Sequence, residues 1–361
     1  MFEDINIPPA SLERADIAAQ ILCSQIASDV RRFVKQNVIS SLPKNKALGW
    51  RENRMLSQLH SHRGGLTSAH MSELTRYSAP TISRLNLKLL HSGFITLEEH
   101  HYDARSTLLK ITPSGISHME SLYAACNAQQ DRVVPELLPE LDDAMIRHVA
   151  DICLSLQRRA ETLAGLDTSG RMRGYQTTQH SKSRFDTHFK EFTRFPELLF
   201  QKYCARIASD YMTFFNRHAI KPLGAVPKIK IRELRVLMCL ESFGEASTSV
   251  RMAKEMRFDK ATIARATAAL TDGGYIAAET SDIDDRAKPF WLTEKGLEAA
   301  RDYKAKSSAA LQRAEQITGA SQDKETARRS LAALLMLRNR TCVFAKVRPL
   351  RQRAALKSAG Q

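Results

Sequence analysis

A chain of 361 residues, 43% hydrophobic and 26% charged, has the apolar content to bury two ordinary domain cores, which sets it apart from disordered and fibrous sequences. Its net charge of +15 calls for a polyanionic partner, either nucleic acid or an anionic membrane surface. Six cysteines (Cys23, Cys126, Cys153, Cys204, Cys239, Cys342) stand singly, which argues against structural zinc and against a secreted disulfide scaffold.

No apolar run reaches about 18 residues, and the opening MFEDINIPPASLERAD carries acids where a signal peptide needs a basic patch and an apolar core. The expected location is the cytoplasm, away from the membrane. Charge is unevenly spread: residues 1–160 hold 18 Lys+Arg against 17 Asp+Glu, whereas residues 201–361 hold 30 against 17.

In chain order, an apolar-periodic segment from Ala10 to about Val38 comes first, with Ile17, Ile21, Ala27 and Val34 near one stripe at helical spacing. A helix over Arg51–His62 follows, then a short one over Ala69–Arg76 opened by Thr67-Ser68 as N-cap residues and closed at Tyr77. Ser78 is the next N-cap, with Pro80 in the first turn where its missing N–H costs nothing, and that helix runs to about His91. Two short helices across a tight turn predict a helix-turn-helix. Gly93 ends the second of them. Phe94–Glu99 then switches to a strand pattern, HHYDARS forms a loop, TLLKI returns as a strand, and Thr112 with Gly115 marks the capped start of a helix over Pro113 to about Gln130. A two-stranded ribbon in this place is a wing. A last helix, Pro139 to about Arg159, carries Leu141, Met145, Ile152 and Leu156 on one face.

The pattern then recurs. A shift of 181 positions lays YDARSTLLKITPSG on IDDRAKPFWLTEKG without a gap, LCSQIASDV on YCARIASDY, and RENRMLSQL on RELRVLMCL; over residues 51–115 roughly 21 of 65 positions are identical. The expected organisation is one unit over 1–160, a polar linker over 161–190, a second unit over 191–341 and a basic tail over 342–361. The fold class is mainly α with small β-wings: two winged helix-turn-helix units joined by an intramolecular layer of apolar outer helices, the second one carrying Leu331, Leu334, Leu335 and Met336.

APTISRLNLKLLHSGFI, the D-x-R of YDARS and DDRAK, and the T-x-x-G after each together resemble the MarR-type winged-helix transcriptional regulators, over nearly the whole of both repeats. The resemblance implies double-stranded DNA as partner, repression of promoters, and a small organic effector in the crevice beside the winged helix. Regulators of this type are homodimers; here two protomers look fused into one chain, similar to the double-domain staphylococcal Sar regulators. Such a pseudo-dimer would function as a monomer or pair again as a homodimer.

Physical chemistry points the same way. A helix opening with small polar residues can enter a major groove about 12 Å wide and direct its N-terminal amides at phosphate. The candidate reading residues are Ser78, Pro80, Thr81, Ser83, Arg84 and Lys88 in the first repeat, with Arg84 a bidentate reader of guanine, and Lys260, Thr262 and Arg265 in the second. Arg105 and Arg286 at the wing tips would reach a minor groove, oriented by Asp103 and Asp284, with Lys288 offsetting the acids of the second wing. Unequal heads predict an imperfect or asymmetric operator, its half-sites about 34–36 Å apart.

Cys23 and Cys204 hold equivalent positions in the first helix of each repeat, where the resemblance places the reactive thiol of peroxide-sensing relatives; a thiol on an apolar helix face is more often a small core residue. His100 and His101 are adjacent on a strand and point to opposite faces, so they do not build a metal site. No cofactor is expected. Neither a phosphate loop, H-E-x-x-H nor G-x-S-x-G occurs, and an enzyme is not expected. The competing class is a winged-helix module that binds another protein of the transcription machinery without reading bases.

Overall fold

The computed structural model describes residues 5–42, 48–99, 107–133, 141–166, 196–221, 229–278, 288–319 and 323–346. These are mostly helical. The first segment is α1 (Pro9–Leu12) and α2 (Ala15–Phe33), extended by one π-helical turn over Val34–Val38. Then come α3 (Trp50–Ser61), β1 (Leu66–Thr67), α4 (Ser68–Thr75), α5 (Ala79–His91), β2 (Ile95–Glu99), β3 (Thr107–Ile111), α6 (Pro113–Val133) and α7 (Asp143–Gly165). The order repeats: α8 (Pro196–Phe215) with a π-helical turn at Asn216–Ile220, α9 (Ile231–Phe243), β4 (Ser247–Thr248), α10 (Ser249–Met256), α11 (Lys260–Asp272), β5 (Ile276–Ala278), β6 (Pro289–Leu292), α12 (Glu294–Thr318) and α13 (Lys324–Lys346).

Local chemistry explains the breaks. Thr67 and Thr248 cap α4 and α10 by accepting the amides of His70 and Arg251 at 3.2 and 3.3 Å. Each of these helices stops at an arginine in left-handed conformation, Arg76 (φ 58°) and Arg257 (φ 55°). An L-residue there costs on the order of 1 kcal/mol, so the turn is held by its surroundings: the Thr75 hydroxyl donates to Met71, and the Ser72 hydroxyl to the Tyr77 carbonyl at 2.5 Å.

Each sheet has three strands, not the expected two. β3 lies between β1 and β2, and β6 between β4 and β5, all antiparallel. Leu66 pairs with Leu109, and Ser247 with Phe290. The extra strands are two residues long, too short to show a period of two.

Several boundaries also differ. The expected start of α7 at Pro139 lies outside the described residues; Asp142 caps the helix by accepting the Met145 amide at 2.7 Å, and it runs from Asp143. It continues through Gly165, and Glu161, Leu163 and Ala164 are buried; residues 161–165 therefore belong to the helix and not to a linker. The buried face of α7 runs through Ile146, Val149, Cys153, Leu156 and Ala160, while Leu141, Met145 and Ile152 are only half-buried.

Two compact units emerge, and neither is a contiguous half of the chain. Among the described residues one gathers 5–28, 149–166 and 203–338; the other gathers 29–133, 141–148, 196–202 and 339–346. Each unit draws on both halves of the chain. Within the first, Arg159 forks onto Asp16 at 2.9–3.1 Å, the Tyr211 hydroxyl donates to Asp16 at 2.6 Å, and Gln25 donates to the Glu255 carbonyl at 2.9 Å. Within the second, Arg340 meets Glu197 at 2.6 Å and Phe33 packs on Phe344 with ring centroids 5.3 Å apart. The core of that unit comprises Met55, Leu56, Leu59, Met71, Ile82, Leu89 and Leu109, all at most 1% exposed.

Candidate nucleic-acid interface

α5 is anchored on one side and open on the other. Ile82, Leu85 and Leu89 are buried in the core, which turns Pro80, Ser83, Arg84, Leu87, Lys88 and His91 outward at helical spacing. Ser78 and Ala79 are exposed ahead of them, and Thr81 is half-buried. The Ser78 hydroxyl does not cap a backbone amide; it meets the Thr81 hydroxyl at 2.9 Å. Lys88 keeps a half-exposed side chain but pairs with Glu52 at 2.6 Å. That hydrogen bond, opposed by partial burial, lowers the Glu52 pKa.

α11 presents a different surface on the same frame. Ile263, Ala266, Thr267 and Leu270 are buried, leaving Lys260, Ala261, Ala264, Arg265, Ala268, Ala269 and Asp272 exposed and Thr262 half-buried. The Arg265 guanidinium donates through Nε to the Ala261 carbonyl at 3.1 Å. Arg84 and Arg265 therefore share a place, with different neighbours.

Two residues escaped the sequence reading. Asp259 caps α11: its carboxylate accepts the Thr262 amide at 2.7 Å and the Thr262 hydroxyl at 2.9 Å. These bonds hold its pKa below the ordinary value. A carboxylate here answers the helix dipole from within and repels an incoming phosphate. The signal was present, since Asp at an N-cap with a helix behind it is a standard pattern. Leu87 is the other, 56% exposed in the middle of the outward face of α5. Leu87 is not among the candidate reading residues.

Behind α5 and α11 one latch recurs. The Thr112 hydroxyl donates to the Gly93 carbonyl and accepts the Gly115 amide; Thr293 does the same with Gly274 and Gly296. This is the structural content of T-x-x-G.

The wing-tip candidates Asp103, Arg105, Asp284 and Arg286, the adjacent His100 and His101, and the tail beyond Lys346 lie outside the described residues. Lys288 is half-buried, one residue before β6. Cys23 and Cys204 are fully buried and meet Cys153 in one thiol cluster. The Cys153 thiol is pushed well above its ordinary value by its hydrogen bond with Cys204 and by burial. Cys204 also ends well above: the bond with Cys153 lowers it, but the contact with Cys23 and burial outweigh that. Protonated, shielded thiols pack; they do not attack peroxide readily.

Comparison with known proteins gave these results. No family profile matches the chain. An uncharacterized HTH-type transcriptional regulator of Mycobacterium leprae (strain TN) is 30% identical over 108 residues, which is 28% of this chain and 73% of that protein. Among solved structures, a zinc-responsive MarR family member, ZitR of Lactococcus lactis, is 23% identical with a TM-score of 0.24, over 28% of this chain and 70% of that one. MepR of S. aureus bound to an oligodeoxyribonucleotide is 23% identical with a TM-score of 0.24, over 30% and 80%.

Proposed function

The chain belongs to the HTH-type transcriptional regulators, and from that premise we propose that it is a double-stranded-DNA-binding regulator of the MarR type. On this reading it represses by occupying promoter DNA and carries two unequal reading heads in one chain. α5 and α11 enter successive major grooves, Arg84 and Arg265 each read a guanine through N7 and O6, and Arg105 and Arg286 reach the flanking minor grooves.

The observation that carries this reading is the outward face of α5. Its inner face is locked into a core whose members are almost wholly excluded from solvent, so Pro80, Ser83, Arg84 and Leu87 are displayed on a rigid support. A net charge of +15 supplies the non-specific attraction. Because the α5 and α11 faces share only the arginine and the threonine behind it, the operator is an asymmetric pair of half-sites. A small organic effector would act by shifting the heads between states of different DNA affinity.

The test begins with selection of bound duplexes from a random pool, followed by titration of the winner with the native protein and with Arg84→Ala and Arg265→Ala. Each variant should fold normally, lose affinity by about 10- to 100-fold, and relax base preference at one half-site only. Duplex binding that is absent at low salt, or unchanged in both variants, would favour the protein-binding module instead.

A further inference from the structure

A second basic cluster lies beside the α5 face. Arg51 and Arg54, in the first two turns of α3, stand over the Tyr77 ring at 5.9 and 5.3 Å from its centroid, and Arg31 on α2 stands 5.9 Å from the Trp50 ring. The Arg31 pKa is lowered by burial and, against the pull of Tyr77, by the charges of Arg54 and Arg51. Among the described residues none of the three has a carboxylate partner within ion-pair distance. Glu52, in the same turn, is committed to Lys88 at 2.6 Å.

Like charges that act on one another repel unless an anion joins them. Cation–π contacts with Tyr77 and Trp50 hold the guanidinium planes while leaving their N–H forks unspent. Position adds to this. Tyr77 directly precedes Ser78, the N-cap of α5, whose side chain leaves the first backbone amides of that helix uncapped. An anion beside Tyr77 would meet both the forks and the positive end of a 13-residue helix.

The other head keeps only part of this cluster. At the matching positions Met212 stands for Arg31 and Ile231 for Trp50, while Arg232 and Arg235 keep the other two charges; Arg235 stands over the Phe258 ring at 4.4 Å, as Arg54 does over Tyr77, and donates to the Ser24 hydroxyl at 3.3 Å. There the helix start is already occupied by the Asp259 carboxylate. One head is short of an anion where the other carries its own.

We infer that Arg31, Arg51 and Arg54, held by Tyr77 and Trp50, form a phosphodiester clamp that grips the DNA backbone where α5 enters its groove, making the first head the tighter grip. The inference rests on the DNA-binding reading above and adds to it a contact that fixes register without reading sequence.

The experiment uses the full chain, the selected duplex and a scrambled duplex of equal length. Arg51→Ala/Arg54→Ala should weaken both duplexes by the same factor, on the order of ten-fold, and should flatten the slope of log affinity against log salt by about one. Arg51→Lys/Arg54→Lys should keep the slope and recover part of the affinity, because the charge survives while the fork is lost. Arg84→Ala, in contrast, should erase the difference between the duplexes. An unchanged slope in the alanine variant, or a loss confined to the selected duplex, overturns the clamp. So does saturable binding of benzoate to the native protein that the alanine variant lacks while its salt slope is native, since the cluster would then hold a small carboxylate. If the double alanine variant melts early, Arg54→Gln alone gives the same slope test. Failure of the native protein to bind any duplex would instead refute the DNA-binding reading itself.

Discussion

The hydroxyl of Thr112 donates to the carbonyl of Gly93 at 2.7 Å, tying the start of α6 to the turn that ends α5. Thr293 does the same to Gly274 at 2.8 Å. Each threonine also accepts the amide three residues on, at 3.1 Å, so one side chain both caps a helix and sets the exit of the helix that faces outward. The glycine of the motif is required by space. A Cβ on Gly115 would lie 2.4 Å from the Phe94 carbonyl oxygen, and one on Gly296 would lie 1.9 Å from that of Tyr275.

Gly115→Ala and Gly296→Ala should therefore each destabilise by about 2–4 kcal/mol, because the obstacle is backbone and cannot rotate away. Thr112→Val should cost about 1–2 kcal/mol through the lost cap. Urea unfolding monitored by circular dichroism measures both. A Gly296→Ala protein as stable as the native one would refute the packing argument.

Asp259→Asn should raise affinity for duplex DNA, by about two- to five-fold at low salt, with little change in stability, since the amide oxygen still caps α11 while the charge facing phosphate is gone. The same carboxylate contributes a pH dependence of known sign. Its folded-state pKa lies below the ordinary 3.8, so its capping contribution is complete above that value and fades as pH falls through the lower, folded one. Native and Asp259→Asn stabilities should diverge least at the acid end. Equal DNA affinity for the two proteins at every salt concentration would remove Asp259 from the interface.

Leu87 should contact a thymine methyl group. Replacing the relevant thymine by deoxyuridine should weaken the native complex by roughly four-fold, the worth of about one buried methyl, and should leave Leu87→Ala unaffected. A penalty of the same size in both proteins would mean that the methyl is read elsewhere, or not by this helix. Ala268, at the matching place in α11, should give a smaller effect at its own half-site.

Asp16→Asn should destabilise by about 3–5 kcal/mol, because Arg159 and the Tyr211 hydroxyl both spend hydrogen bonds on that carboxylate in a nearly closed setting. Asp16→Leu paired with Arg159→Met should recover much of the loss. Chemical denaturation of the single and double variants forms the required cycle. A single variant that costs less than about 1 kcal/mol would show the pair to be solvated in solution.

Much of this was legible from residue order, because the signals were local. N-cap threonines, a proline in the first turn of α5 and glycines after each outward helix have stereochemical meanings independent of the rest of the chain, and Gly93 and Gly274 do take φ of 70°. What escaped was not local. β1 is two residues long and exists only because Leu66 finds Leu109, more than forty positions away. The buried face of α7 includes Cys153 and Glu161, whose burial depends on Cys204 and Arg206 arriving from α8. The noncontiguous units follow from such distant partners too, which no period reveals.

Arg159 with Asp16, and Arg340 with Glu197, are the same pair written twice 181 positions apart, and the first lies in a unit that also needs residues beyond 203. Severing the chain between 166 and 196 would consequently leave two fragments that each lack part of their own interior. Expressed alone, either piece should be insoluble or molten; mixed, they should refold with a melting temperature that climbs with concentration, converting a property of one molecule into an affinity between two.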